Sequence, residues 1–130
     1  MNGKEDKGTM ARIIIDTNIA IHGFKNHPKA VTILNGKEIL FSFITSIELL
    51  SHPLLTTNEE NLINEFISGC IVIDNTPDLQ SVVITIRKNF GLKIPDAFIA
   101  ATALQFNLPF FSSDNVFDRI PDLNFIHVEF

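Results

Sequence analysis

Short apolar runs alternate with longer segments of helical character along almost the whole chain. The runs are rich in β-branched and aromatic residues, which predicts buried strands at residues 12–15, 39–43, 70–73, 109–112 and 125–128. Helical patterns begin at residue 17 and cover residues 28–34, 45–51, 57–68, 77–89 and 95–106, with a short helix or turn at 115–119. Strands that alternate with helices favour an α/β fold, a three-layer α/β/α sandwich around a mainly parallel central sheet.

The length of 130 residues fits one domain, which we place at residues 10–130. Residues 1–9 are polar and without periodicity, so we expect a flexible tail there. No apolar run approaches the ~20 residues that span a membrane, no signal segment opens the chain, and the single cysteine cannot form an internal disulfide. These features predict a cytoplasmic protein. The net charge of −5 argues against a generic basic surface that coats nucleic acid.

Four acidic residues lie at or just after the places where predicted strands pass into helices: Asp16, Glu48, Asp96 and Asp114. The carboxyl ends of parallel strands share one edge of a sheet, where ligands bind, so we expect these residues to be neighbours. Carboxylates brought together repel one another unless a cation offsets their charge. Ligand sets made only of oxygen atoms suit Mg²⁺ or Mn²⁺. The sequence therefore predicts a metal site built from these four acids.

Each acid also has a purely structural explanation. Asp16 and Asp114 fit a helix cap and a turn, residues 45–48 match a capping box that would use Glu48, and Asp96 suits the positive end of a helix dipole. Taken singly, each structural explanation is favoured over metal binding. The four acids together are harder to explain in this way, although Asp74 also ends a predicted strand and shows that position alone is not decisive.

Four segments carry these acids, with the sequences IIIDTN at residues 13–18, ITSIELL at 44–50, IPDAFIAATA at 94–103 and FFSSD at 110–114, followed by Phe117. In this order and at these separations they resemble the motifs of PIN-domain ribonucleases, specifically the VapC-type toxins of bacterial and archaeal toxin–antitoxin systems. The resemblance runs from about residue 12 to residue 128. It implies a PIN-like fold in which Asp16, Glu48, Asp96 and Asp114 are the catalytic, metal-binding residues.

The resemblance also implies an activity and its partners. The expected reaction is hydrolysis of RNA phosphodiester bonds by water that a bound Mg²⁺ or Mn²⁺ activates. The expected partners are the RNA substrate, a cognate antitoxin that covers the site, and a second copy of the chain in a homodimer. A metal-dependent endoribonuclease that acts as the toxin of a toxin–antitoxin pair is therefore the leading functional hypothesis.

Other side chains near the acids are candidates for supporting roles. Thr17, Asn18 and Ser112 are expected to orient the carboxylates, with ordinary helix capping an equally good explanation. Four basic residues flank the third and fourth acids and are candidate contacts for RNA phosphates, although a solvated helix end explains positive charge there equally well; they are Arg87, Lys88, Lys93 and Arg119.

The remaining reactive residue types predict no second site. The histidines show no metal-ligand spacing, so we expect surface or packing roles for all four of them, His22, His27, His52 and His127. Cys70 begins a predicted apolar strand, which favours a buried and inert thiol.

Two alternatives stay open at this stage. Val116 stands where many relatives of the resembled family carry another acid, which favours a PIN module that binds RNA or a partner without cleaving it. An aspartyl phosphatase with Asp16 as nucleophile is the other alternative. It is disfavoured because residues 16–18 lack the second aspartate that such enzymes place two residues after the first.

Overall fold

Five strands form the central sheet of the computed structural model, which describes residues 10–130; the tail predicted at residues 1–9 lies outside this range. The strands are β1 Arg12–Ile15, β2 Glu38–Ser42, β3 Ile71–Ile73, β4 Phe110–Ser112 and β5 Phe125–His127. Their order is β3-β2-β1-β4-β5, and every neighbouring pair is parallel. The predicted parallel sheet is therefore confirmed, with a reversal of strand order between β1 and β4, where α/β folds place their ligand crevice.

The two faces of the sheet are buried in two separate core clusters. Ile14, Leu40 and Phe110 belong to the first cluster, whereas the alternate positions Ile15 and Phe41 belong to the second. This alternation follows from the two-residue period of a strand. Burial on both faces explains why the central strands β1, β2 and β4 appear in the sequence as continuous apolar runs.

Six helices cover these faces: α1 Thr17–Phe24, α2 Pro28–Leu34, α3 Phe43–Leu50, α4 Thr57–Ser68, α5 Pro77–Phe90 and α6 Ile94–Phe106. Helices α5 and α6 supply the helical side chains of the first cluster, among them Leu79, Ile86 and Ala100. Helices α1 and α4 supply Ile19 and Ile63 to the second cluster. The predicted three-layer sandwich is therefore confirmed. None of the helices within residues 10–130 is long and apolar enough to cross a lipid bilayer.

Helix α3 begins two residues earlier than the sequence pattern predicts. Strand β2 ends at Ser42, and the hydroxyl of Ser42 caps the helix by accepting a hydrogen bond from the backbone N–H of Ile44 at 3.1 Å. The capping box predicted at residues 45–48 is therefore wrong, because those residues lie inside the helix. A capping box does open α4, where Thr56 and Glu59 exchange bonds of 3.1 and 3.0 Å.

Cys70 was predicted to begin a strand and to carry a buried, inert thiol. Its place in the structure differs from this prediction, but its expected low reactivity does not. Strand β3 begins one residue later, at Ile71, and Cys70 is half-buried instead of fully buried. Burial raises the pKa of the Cys70 thiol to about 11, so the thiol is protonated at neutral pH. A protonated thiol is a poor nucleophile, in keeping with the expected inert role.

A short 3₁₀ helix, Asn115–Arg119, follows β4 and is anchored by Phe117. The Phe117 ring is fully buried and lies edge-on to Phe110 with a centroid separation of 4.8 Å. We expect Phe117→Ala to lower the free energy of unfolding by about 3–5 kcal/mol, because it leaves a cavity in the first core cluster. Urea unfolding measures this loss. The matched control is Phe106→Ala at a ring that is 38% exposed, and equal losses in the two variants would contradict the anchoring role.

Candidate active site

Asp16 directly follows β1 at the reversal of strand order and is buried, with 7% of its surface exposed. Its Oδ1 accepts the backbone N–H of Thr17 at 2.8 Å and so caps α1. Its Oδ2 accepts the Ser112 hydroxyl at 2.7 Å and the Asn18 side-chain amide at 3.1 Å. Thr17, Asn18 and Ser112, which were predicted to orient the carboxylates, therefore all bond to Asp16. Asn18 and Ser112 do so through their side chains, and Thr17 through its backbone.

Ser112 and Asn18 also fix the segment that follows β4. The Ser112 hydroxyl oxygen accepts the backbone N–H of Asp114 at 3.0 Å and lies 3.3 Å from the Asn18 amide nitrogen. The Asn18 side-chain oxygen accepts the backbone N–H of Ser113 at 3.2 Å. His127, on the neighbouring strand β5, places its Nε2 3.1 Å from the Ser113 carbonyl oxygen. His127 was expected to have only a surface or packing role, and its contact with the segment after β4 was not predicted.

Glu48 reaches the same edge of the sheet from α3. The Thr17 hydroxyl donates to Oε1 of Glu48 at 2.5 Å, and the hydroxyl of Thr45 lies 3.2 Å from that of Thr17. Thr45 is fully buried beneath this pair. Thr45 was not predicted as a supporting residue, because residues 45–48 match a capping box in the sequence. The available signal was its spacing of three residues from Glu48, which puts both on one side of a helix.

Asp96 and Asp114 differ in how far their carboxylates are already engaged. Asp114 caps the 3₁₀ helix, with Oδ1 accepting the backbone N–H of Val116 at 2.9 Å. Asp96 lies in the first turn of α6, whose N-cap residue, Lys93, makes no side-chain capping bond. Within residues 10–130, no hydrogen bond joins the Asp96 carboxylate to another side chain or backbone group, which leaves its oxygens free for a ligand.

Electrostatic coupling shows that the four carboxylates are neighbours. Burial raises the pKa of Asp16 to about 6, bonds from Ser112 and Thr17 oppose the rise, and the charges of Asp96 and Glu48 add to it. Asp16 is thus a carboxylate whose negative charge is costly in the folded protein. A cation beside it would lower that cost.

Asp96 receives the same kind of influence from the remaining acids. Burial raises its pKa, the charges of Asp114 and Glu48 raise it further, and the positive charge of Lys93 lowers it. Lys93 is therefore the candidate RNA contact that the structure brings beside the acids. Lys88 is exposed on α5.

Arg87 and Arg119, the other two candidate RNA contacts, bond to the backbone. Nη1 of Arg87 lies 3.4 Å from the carbonyl oxygen of Leu92, and Nη1 of Arg119 lies 3.4 Å from that of Phe90. Both guanidinium groups thus contact the turn between α5 and α6. Positive charge at the end of α5 also offsets the negative end of its dipole.

The four carboxylates are suited to a divalent cation by chemistry, although their side chains are not drawn into a compact cluster. Across the described chain, no three Asp, Glu, His or Cys side chains are close enough to hold one ion together. An ion bound by three of them would require side-chain rotation, which the unbonded Asp96 carboxylate permits. The oxygen-only donor set fits Mg²⁺ or Mn²⁺.

Comparison with known proteins assigns the fold to a family. A family model for the PIN domain matches residues 13–123. The chain belongs to the PIN-domain family. The family resemblance predicted from the four motifs is therefore confirmed. No curated protein sequence matches the chain.

Solved structures of toxin–antitoxin proteins share this PIN fold. A toxin–antitoxin complex from Klebsiella pneumoniae is 26% identical, with 88% of this chain and 95% of that chain covered and a TM-score of 0.74. VapBC2 from Rickettsia felis, bound to a promoter DNA fragment, is 20% identical, with coverages of 91% and 99% and a TM-score of 0.78. DNA-bound VapBC from Salmonella typhimurium is 22% identical, with coverages of 91% and 98% and a TM-score of 0.76.

The raised pKa of Asp16 predicts a specific dependence of stability on pH. Because the folded protein binds this proton more tightly than the unfolded chain does, ionised Asp16 costs up to about 3 kcal/mol of stability above pH 6. The cost disappears as the pH falls towards 4. We therefore expect Asp16→Asn to gain stability relative to the wild type as the pH rises from 4 to 7. Urea unfolding in EDTA measures the difference, and parallel pH profiles for the two proteins would contradict it.

Proposed function

We propose that this PIN domain is a metal-dependent endoribonuclease that hydrolyses RNA phosphodiester bonds. The observation that carries the proposal is the buried Asp16 carboxylate next to the strand-order reversal: burial and the charges of Asp96 and Glu48 raise its pKa, and the charge of Asp114 in turn raises the pKa of Asp96. Burying an ionised carboxylate among like charges lowers the stability of the folded protein, so the arrangement does not serve folding. A site that binds a divalent cation gives this arrangement a function.

The chain's own residues have distinct roles in this proposal. Asp16, Glu48, Asp96 and Asp114 would hold Mg²⁺ or Mn²⁺, which when bound lowers the pKa of a water molecule and offsets negative charge on the phosphate. Ser112 and Asn18 hold the Asp16 carboxylate in place, and Thr17 holds that of Glu48. Lys93, beside Asp96, would attract an RNA phosphate towards the acids.

We further propose that the protein is the toxin of a toxin–antitoxin pair and acts in the cytoplasm. Support comes from the similar structures, which are named as toxin–antitoxin and VapBC complexes. Large apolar side chains are exposed on α3, on the following loop and on α4; they are Ile47 at 56%, Leu54 at 80% and Leu62 at 60% exposure. A cognate antitoxin and a second copy of the chain are the partners that we propose for such apolar surface.

Substitution of single acids tests the metal and the reaction together. We expect Asp16→Asn and Asp96→Asn each to lower RNA cleavage by at least about 100-fold, since residues that only support metal ligands already cost 10–100-fold when they are changed. The assay follows cleavage of total RNA with Mg²⁺ or Mn²⁺, and EDTA should abolish it.

The matched control is Asp74→Asn. Asp74 also follows a strand but is exposed next to the edge strand β3, where Oδ1 accepts the backbone N–H of Asn75 at 2.7 Å. Asparagine keeps that acceptor, so the variant should cleave like the wild type. Cleavage that persists in EDTA, or in both site variants, would overturn the assignment of the acids.

A PIN module that binds RNA or a partner without cleavage is the second candidate. Val116 favours it, because this side chain packs against the first core cluster and contributes no ligand where many relatives of the family carry an acid. Calorimetric titration with Mn²⁺ separates the candidates. A pure binding module would bind no Mn²⁺ at Asp16 and Asp96, and its RNA binding would be unchanged by EDTA.

Removal of the Ser112 hydroxyl tests the support of Asp16. We expect Ser112→Ala to weaken Mn²⁺ binding by roughly 10–100-fold, because Asp16 loses its shortest bond and the Asp114 amide loses its acceptor. Titration calorimetry measures the affinity, and Ser68→Ala on α4 is the control. Ser68 bonds only to the Glu65 carbonyl oxygen of its own helix, and equal affinities in all three proteins would contradict the supporting role.

A further inference from the structure

The turn between α5 and α6 fixes the position of Asp96. It passes through Gly91, whose φ of +69° ends α5 in the left-handed conformation, and the Gly91 N–H bonds to the Arg87 carbonyl oxygen at 3.1 Å. Helix α6 then begins without a side-chain cap, although its first turn carries Asp96. Because no side chain caps α6, contacts from other segments help to hold the start of this helix in place.

Arg119 provides such a contact from a distant part of the sequence. Its Nη1 lies 3.4 Å from the Phe90 carbonyl oxygen and 4.0 Å from the position that a Cβ would take at Gly91. Arg119 ends the 3₁₀ helix that Asp114 caps and that Phe117 anchors in the core. The guanidinium group thus joins the segment that carries Asp114 to the turn that leads to Asp96.

We propose that Arg119 is a positioning residue for the acidic site, which holds the end of α5 and the turn into α6 against the Asp114 segment so that the Asp96 and Asp114 carboxylates face one another across the site. This inference rests on the proposed function for its consequence, but its geometry is independent of that function. It is an alternative to the expectation that Arg119 binds an RNA phosphate, which stays a prediction. The backbone carbonyl at the negative end of α5 already engages its positive charge.

Arg87 contacts the same turn but has a more local role. Its Nη1 bonds to the Leu92 carbonyl oxygen, five residues away in the same stretch of chain. The bond of Arg119 to Phe90 spans 29 residues. Loss of Arg87 can loosen the turn, whereas loss of Arg119 also separates the turn from the segment that carries the fourth acid.

Hydrogen exchange in the full-length, metal-free protein tests the positioning role without any activity. We expect Arg119→Gln to speed exchange of the Gly91 and Ala97 amides roughly tenfold, which is the scale of losing one charge-assisted hydrogen bond in a local opening. Both amides bond to acceptors in or beside the turn. Arg119→Lys, which keeps the charge and one donor, should restore part of the protection.

The matched control is Lys37→Gln, at the amino-terminal ends of the strands and away from the acids. Lys37 also carries one positive charge and also donates to a backbone carbonyl at 3.4 Å, that of Ile33. It precedes β2, whereas the acids follow the strands or stand on the helices beside those ends. This variant should leave exchange in the α5–α6 turn at the wild-type rate.

Two further measurements distinguish positioning from direct RNA contact. Mn²⁺ binding to Arg119→Gln should weaken by roughly tenfold, while the salt dependence of binding to a single-stranded RNA oligonucleotide in EDTA should keep the wild-type slope. Lys93→Gln should instead lower that slope by about one, as expected when one phosphate contact is lost.

Each outcome decides the proposal. Wild-type exchange rates at Gly91 and Ala97 in Arg119→Gln would overturn it, and a slope lowered by about one together with those rates would make Arg119 an RNA contact. If the wild type bound no Mn²⁺ and cut no RNA, the proposed function would fail. The exchange comparison would still show whether Arg119 holds the turn.

Discussion

The hydrogen bond between Ser112 and the buried Asp16 carboxylate is the interaction on which the arrangement of this site depends. It links the carboxyl ends of β1 and β4, adjacent strands that are 96 residues apart in sequence. A buried carboxylate is tolerated only when its oxygens are bonded, and three donors satisfy those of Asp16. The same Ser112 oxygen accepts the Asp114 amide, so one hydroxyl supports two acids.

Helix capping and ligand binding are not alternatives at this edge of the sheet. Asp16 caps α1 with Oδ1 while Oδ2 takes its bonds from other elements, and Asp114 caps the 3₁₀ helix with a single oxygen. A carboxylate has two oxygens with several lone pairs, so capping leaves acceptor capacity for a cation. Glu48 caps no helix and is held by the Thr17 hydroxyl instead.

The fold could be predicted from the sequence because both faces of the sheet are buried. Short apolar runs rich in β-branched or aromatic residues located the five strands, and the helical periods located the helices between them to within a few residues. The start of α3 was missed because Phe43 continues the apolar run of β2 in the sequence, although the Ser42 hydroxyl already caps the helix that begins there. Thr45 was therefore assigned to a capping box. Its observed partner is the hydroxyl of Thr17, which is 28 residues away in the sequence.

Contacts between distant segments set the limit of what the sequence could show about the site. The four acids were predictable because each stands at a junction that the chain pattern reveals. The bonds of His127 to Ser113 and of Arg119 to Phe90 join loops whose packing no local pattern encodes. Positive charge near an acid in the sequence suggested RNA contacts, whereas the fold directs two of the four basic side chains to a turn.

Val116 contributes to the packing of the 3₁₀ helix that follows β4. Its backbone N–H bonds to Asp114, and its side chain packs against the first core cluster. An acid at this position would carry a charge towards partly buried apolar surroundings, where it would need a cation nearby to offset its desolvation. Valine avoids that cost and, together with the buried Phe117, strengthens the hold on the 3₁₀ helix that Asp114 caps.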